Sequence, residues 1–151
     1  MTELNLPVTE LRIEMQNGKA YVFDRLRKQF VRLTPEEYVR QQFIFFLTEC
    51  KGYPAGRLAN EIEIVLGNLR KRCDTVLYDN YLQPLMIIEY KAPSIAISQK
   101  TFDQIVRYNF ALQVPWLIVS NGIQHFCCRL EPEKKTYVFV NEIPEFEKVM
   151  S

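Results

Sequence analysis

The chain has 151 residues, a net charge of +1, and 48% hydrophobic and 13% aromatic residues. This length and apolar content suit one globular domain and exclude a disordered chain, while the near-neutral balance gives no bulk argument for a polyanion partner. Cys50, Cys73, Cys127 and Cys128 show no zinc-ligand spacing and His125 stands alone, so buried free thiols in a reducing cytosol are expected and a zinc site is not. The first residues show no signal-peptide pattern, and no apolar run nears the roughly 20 residues of a membrane span. A cytoplasmic protein is the resulting expectation.

Asn17-Gly18 marks a turn, and residues 19–23 and 28–33 alternate weakly, as in a short hairpin around Asp24 to Arg27. Thr34-Pro35-Glu36-Glu37 is a helix start. Val39, Phe43, Phe46, Leu47 and Cys50 then share one face, to about Glu49. Read from spacing, Glu37 is the acidic partner of a capping box, which satisfies a backbone donor. Residues 58–66 alternate as a strand, with Glu61 and Glu63 on a solvated face. Gly67-Asn68 turns the chain into the next strand.

Residues 71–91 carry the most information. Two apolar runs flank a polar turn near Asn80 to Gln83, which predicts a β-hairpin. Asp74, Glu89 and Lys91 interrupt those runs, and unpaired ions are costly to bury. Glu89 and Lys91 share a face, with Ile88 and Tyr90 on the other. Across the hairpin Asp74 comes within reach of Glu89. Two carboxylates on a rigid sheet suit a hard divalent cation, and a neighbouring ammonium suits charge stabilisation at a phosphodiester. The competing reading is a salt bridge between Lys91 and one acid.

Residues 98–112 read as a helix with Phe102, Ile105, Val106, Asn109 and Leu112 inward; Gln104 and Tyr108 share another side. Thr101-x-x-Gln104 also fits a capping box, which would leave Tyr108 at the edge of the core. Residues 114–120 form a continuous apolar run, predicting a buried strand parallel to an earlier neighbour. Asn121-Gly122 leads into a strand over 124–130 in which His125 is structural. A last strand over 136–140 and a short helix over 144–150 complete an α/β pattern with a mixed central sheet flanked by helices.

Asp74, fourteen residues, then Glu89-Tyr90-Lys91 resembles the D…(D/E)xK signature of the PD-(D/E)xK nuclease superfamily. Thr34-Pro-Glu-Glu-Tyr-Val-Arg-Gln41, Arg72-Cys-Asp74, Ile88-Glu-Tyr-Lys-Ala-Pro93, Gln104-Ile-Val-Arg-Tyr-Asn109 and Ser120-Asn-Gly122 follow in order. Together they resemble the N-terminal domain of type I restriction enzyme R subunits (HsdR-like). The resemblance implies a restriction-endonuclease-like core over about 34–130, within one nuclease-like domain of residues 1–151. An N-terminal hairpin (19–33) and a C-terminal strand and helix (136–150) would flank that core. It implies Mg2+, or Mn2+ in its place, on Asp74, Glu89 and the Tyr90 carbonyl. Lys91 completes the catalytic set, and Glu37, Gln104 and Tyr108 support it or bind substrate. DNA is the implied substrate, held by clusters at Arg25 to Lys28 and Arg70 to Arg72, with restriction-modification or helicase subunits as partners. The sequence has no GxxxxGK[ST] loop, so ATP-driven translocation is not implied. The alternative is a non-catalytic DNA-binding or assembly module on the same fold; an RNA substrate ranks lower, since no RNA-binding signature is present.

Overall fold

The caps and apolar periods place most elements. The computed structural model describes residues 2–151. It begins with a three-stranded antiparallel sheet of β1 (Ile13–Gln16), β2 (Lys19–Asp24) and β3 (Gln29–Arg32). The expected hairpin is β2–β3; β1 is an addition, all four of its residues exposed. Then come α1 (Pro35–Cys50), β4 (Leu58–Leu66), β5 (Leu69–Tyr78), β6 (Pro84–Tyr90), α2 (Gln99–Leu112), β7 (Trp116–Ser120), β8 (His125–Glu131), β9 (Thr136–Val140) and α3 (Phe146–Met150).

Strands β4 to β9 form a mixed six-stranded sheet in chain order, with β6–β7 the parallel pair and the other pairs antiparallel. The crossover between β6 and β7 contains α2, as a parallel connection requires. Both central strands are covered on two faces, so Met86, Ile87, Ile88, Leu117, Ile118 and Val119 are fully buried. On one face α1 supplies Val39, Phe43 and Leu47 against Leu77, Met86, Ile88 and Ile118. On the other, α2 supplies Phe102 and Leu112 against Cys73, Val76, Ile87 and Leu117. Each fully buried aliphatic or aromatic side chain contributes roughly 1.5–3 kcal/mol by leaving water. Cys50 is exposed, contrary to expectation, because that core face ends a turn earlier at Leu47; the other three cysteines are buried.

Two strands turn over within the sheet. Leu58 packs on the α1 face, yet Ile62 and Ile64, of the same parity, pack on the α2 face. In β5 Leu77 faces α1 while Cys73, again of the same parity, faces α2. The reversal falls at Glu61, whose φ is 57°, opposite Asp74 between the register pairs Asn60–Thr75 and Ile62–Cys73. A left-handed residue inside a strand is strained for any side chain but glycine. Here it moves the distal halves of both strands round, so that Lys71 and Asp74 face the same side.

The chain before β1 is tied to the turn after β7. Asn5 donates its N–H to the Gly122 carbonyl at 2.8 Å, and His125 Nε2 lies 2.9 Å from the Asn5 carbonyl. His125 Nδ1 lies 2.7 Å from Ser120 Oγ, so this histidine is fully engaged, as expected of a structural one. Gly122 has φ +87°, a conformation strained for any other residue, and a Cβ there would also push on Leu4 Cδ2 at 2.7 Å. Among the described residues no helix is long and apolar enough to cross a membrane.

Candidate active site

Asp74 and Glu89 face each other across β5–β6, one step beyond the Thr75–Ile88 register pair. Asp74 Oδ2 accepts the Tyr90 N–H at 2.9 Å. Its backbone carbonyl accepts Nη1 of Arg40, from α1, at 2.6 Å. The residue is therefore fixed from both sides. Glu89 is buried, and its carboxyl is pushed up to about 7, first by burial and then by the charge of Asp74. Lys71 pulls the other way, donating from Nζ to Glu89 Oε1. Burial and the charge of Asp74 thus oppose the ionised form of Glu89, and a nearby positive charge favours it.

Lys91 lies half-buried on the same face, its backbone N–H donated to Ser120 O at 2.9 Å across the parallel pair. Its ammonium pairs with neither acid, so the salt-bridge reading of Lys91 fails; Lys71 makes that bond instead. A cleft of about 370 Å³ opens over these residues, lined by Lys71, Asp74, Glu89, Lys91, Gln104 and Tyr108. Gln104 and Tyr108 reach it from α2, both exposed, with Tyr108 at 60%. Tyr108 is therefore no core-edge residue. The expected capping box at Thr101 is also corrected: Ser98 caps α2 by accepting the Thr101 N–H at 3.2 Å, and Gln104 is free to face the cleft. A larger hollow of about 610 Å³ between Lys51, Trp116, Ile143 and Lys148 contains none of these groups.

Glu37 stands apart from the cleft. Thr34 caps the Glu37 N–H, but the Glu37 carboxylate does not reach back to complete the box. It is buried and accepts from Arg40 Nε at 3.0 Å, Arg40 Nη2 at 2.8 Å, Arg27 Nη2 at 3.0 Å and Gln41 Nε2 at 2.9 Å. Its link to the acidic pair runs through Arg40. That guanidinium also donates to Glu61 at 2.8 Å, so Glu61 is not on a solvated face.

The arginines of the clusters expected to hold DNA each pair with an acid, while exposed Lys28 of the first cluster does not. Arg27 binds Asp24 and Glu37, Arg70 binds Glu63 at 3.0 Å, Arg72 binds Glu61 at 3.1 Å, and Arg25 lies 3.5 Å from Glu49. Lys71 and Arg40 are the two site residues that spacing missed. The odd step between Cys73 and Val76, both on the α2 face, was the available sign that β5 breaks its alternation. For Arg40 the sign was its i,i+3 spacing from Glu37 on a face otherwise apolar.

Among the described residues no three His, Cys, Asp or Glu side chains cluster. A cation held here would have two carboxylates as side-chain ligands and would draw on the Tyr90 carbonyl and water for the rest. Hard, oxygen-only and hydrated, that donor set fits Mg2+ and not zinc.

The family described as type I restriction enzyme R protein N terminus matches residues 35–144. No curated protein matches. Among solved structures, a chain of a cryo-EM structure of a DrdV–DNA complex is similar at 16% identity and a TM-score of 0.44. The match covers 78% of the present chain and 11% of that one, so the present chain spans about a tenth of that polypeptide.

Proposed function

This chain belongs to the type I restriction enzyme R protein N-terminal family, and from that premise we propose that it is a Mg2+-dependent nuclease that hydrolyses DNA phosphodiester bonds in the cytoplasm. The mixed sheet between α1 and α2 would be a PD-(D/E)xK core, and residues 1–151 one domain. The observation that carries the reading is the convergence of Asp74, Glu89 and Lys91 on one open cleft flanked by Gln104 and Tyr108. Asp74 and Glu89 hold the cation, with the Tyr90 carbonyl as a further ligand; Mn2+ would serve in its place. Bound there, the ion supplies Lewis-acid polarisation and a more acidic water. Lys91, free of either acid, orients the attacking water and stabilises the charge that develops on the phosphoryl oxygens. Gln104 and Tyr108 position the strand by amide and phenol contacts. Glu37 acts at a distance, keeping Arg40 on the Asp74 carbonyl. Restriction-modification or helicase subunits would present the DNA.

Plasmid nicking in Mg2+ against EDTA tests this. Activity is expected only with metal and is expected to vanish in Asp74→Ala and Lys91→Ala. Nicking that persists in either variant would end the assignment.

The Lys71–Glu89 contact favours one second reading, a non-catalytic DNA-binding module in which that ammonium permanently fills the acidic site. Calorimetric titration separates the two. For the nuclease, Mg2+ binds the wild type and binds Lys71→Met tighter by about 10-fold or more, since a charge-assisted hydrogen bond worth roughly 1.5–3 kcal/mol no longer competes. For the module, the wild type stays silent and Mg2+ binds only once Lys71 is replaced.

A further inference from the structure

Helix α2 has an outer face that the fold leaves unpartnered. Lys100, Gln104, Arg107 and Tyr108 recur at i, i+4, i+7 and i+8, which stacks them in one stripe. All four are exposed. Lys100, Gln104 and Arg107 line a groove with Asp103, and Gln104 also lines the cleft over Asp74 and Glu89, so groove and cleft adjoin at Gln104. Neither Lys100 nor Arg107 makes an ion pair among the described residues, although Asp103 lies three and four residues away; the Asp103 carboxylate instead accepts Gln99 Nε2 at 2.8 Å. Of the basic clusters prominent in the sequence, Arg25, Arg27, Arg70 and Arg72 are bound to acids, while exposed Lys28 is not.

We propose that this stripe is the surface that seats the DNA backbone, with Lys100 and Arg107 on two phosphates of the strand that enters the cleft beside Gln104 and Tyr108. The proposal rests on the nuclease reading for the direction of the strand, but not on catalysis. Charge complementarity identifies the occupant: two unneutralised cations lie along a groove that leads to a site for phosphodiester chemistry. Their seven-residue separation advances about 10.5 Å along the helix, so the two side chains would reach separate phosphates. Contacts of this kind position the strand without reading its sequence.

The test is fluorescence anisotropy of a short labelled duplex in EDTA, over a salt series, so that nothing is cleaved. In Lys100→Ala/Arg107→Ala the slope of log affinity against log salt is expected to shrink by roughly 0.9 per lost phosphate contact. Lys134→Ala/Lys135→Ala, which removes the same charge from an exposed loop, is expected to leave the slope unchanged. Asp103→Asn is expected to tighten binding, a gain that damage to the fold could not produce. An unchanged slope in the α2 variant, or an equal loss in the loop variant, overturns the proposal even if the wild type nicks plasmid. Wild type that binds through Lys100 and Arg107 yet never cleaves in Mg2+ overturns the nuclease reading and leaves this surface standing.

Discussion

Glu89 sets the behaviour of the metal-free protein with pH. Its carboxyl stands at about 7 against an ordinary 4.5, because it is buried and shares the site with Asp74. The folded state therefore takes up this proton more readily than the unfolded chain. The stability this group contributes is complete below about pH 4.5 and is lost as pH rises toward 7. The loss is on the order of 3 kcal/mol for a shift of this size. Glu89→Gln keeps the shape and cannot ionise. In urea unfolding with EDTA it is expected to match the wild type near pH 5 and to exceed it at pH 8 by that amount. Equal stability at both pH values would show that Lys71 neutralises Glu89 fully and that the two acids do not oppose each other. Cys73, Cys127 and Cys128 have thiols pushed up to about 12 by burial, so none of them competes as a nucleophile or soft ligand near neutral pH.

Helix α2 presents both the cleft residues and the basic stripe, so its end geometry matters. It closes on Gln113, a left-handed residue at φ 57° whose N–H is donated to the Phe110 carbonyl. Glycine adopts that conformation without the cost of a Cβ. Gln113→Gly is expected to raise stability by about 0.5–1 kcal/mol, read as a higher urea midpoint with an unchanged slope. A lower midpoint would mean that the Gln113 amide, bonded to the Phe110 carbonyl at 2.8 Å, outweighs the backbone term. The helix itself was legible in the sequence from its apolar period, as α1 was from Thr34-Pro35 and the β5–β6 hairpin from two apolar runs about a polar turn. Asp74, Glu89 and Lys91 were legible because charge inside an apolar strand needs a reason. Strand β1 was not, since four exposed residues leave no alternation to read. Lys71 was harder to place, because the odd step from Cys73 to Val76 was the one sign of the reversal at Glu61. The spacing of Arg40 from Glu37 was a sign of their pairing, but its grip on the Asp74 carbonyl was not legible, since carbonyls leave no mark in a sequence.

Polar contacts join the small N-terminal sheet to the large one in a closed circuit. From the Asp74 carbonyl it runs through Arg40, Glu37 and Arg27 to Asp24. Asp24 accepts Asn60 Nδ2 at 2.9 Å, Thr75 donates to Asn60 Oδ1 at 2.7 Å, and the Tyr90 hydroxyl donates to Thr75 at 3.0 Å. The Tyr90 N–H returns to Asp74. Asp24 is fully buried; burial alone would raise its carboxyl, but hydrogen bonds from Asn60 and Arg27 outweigh this and hold it below the usual range. Removing one partner of a buried ionic group strands the others, at a cost of about 3–5 kcal/mol. Because the circuit spans both sheets, that loss belongs to the whole chain and not to the β2–β3 hairpin. Calorimetry of the wild type is expected to give one transition with equal calorimetric and van't Hoff enthalpies. Asp24→Ala is expected to move that transition down as a unit and to weaken Mg2+ binding, since the segment carrying Asp74 and Tyr90 loses its backing. A separate early transition in Asp24→Ala, with Mg2+ affinity untouched, would show instead that the N-terminal sheet is an independent appendage and that β5 and β6 hold the acids unaided.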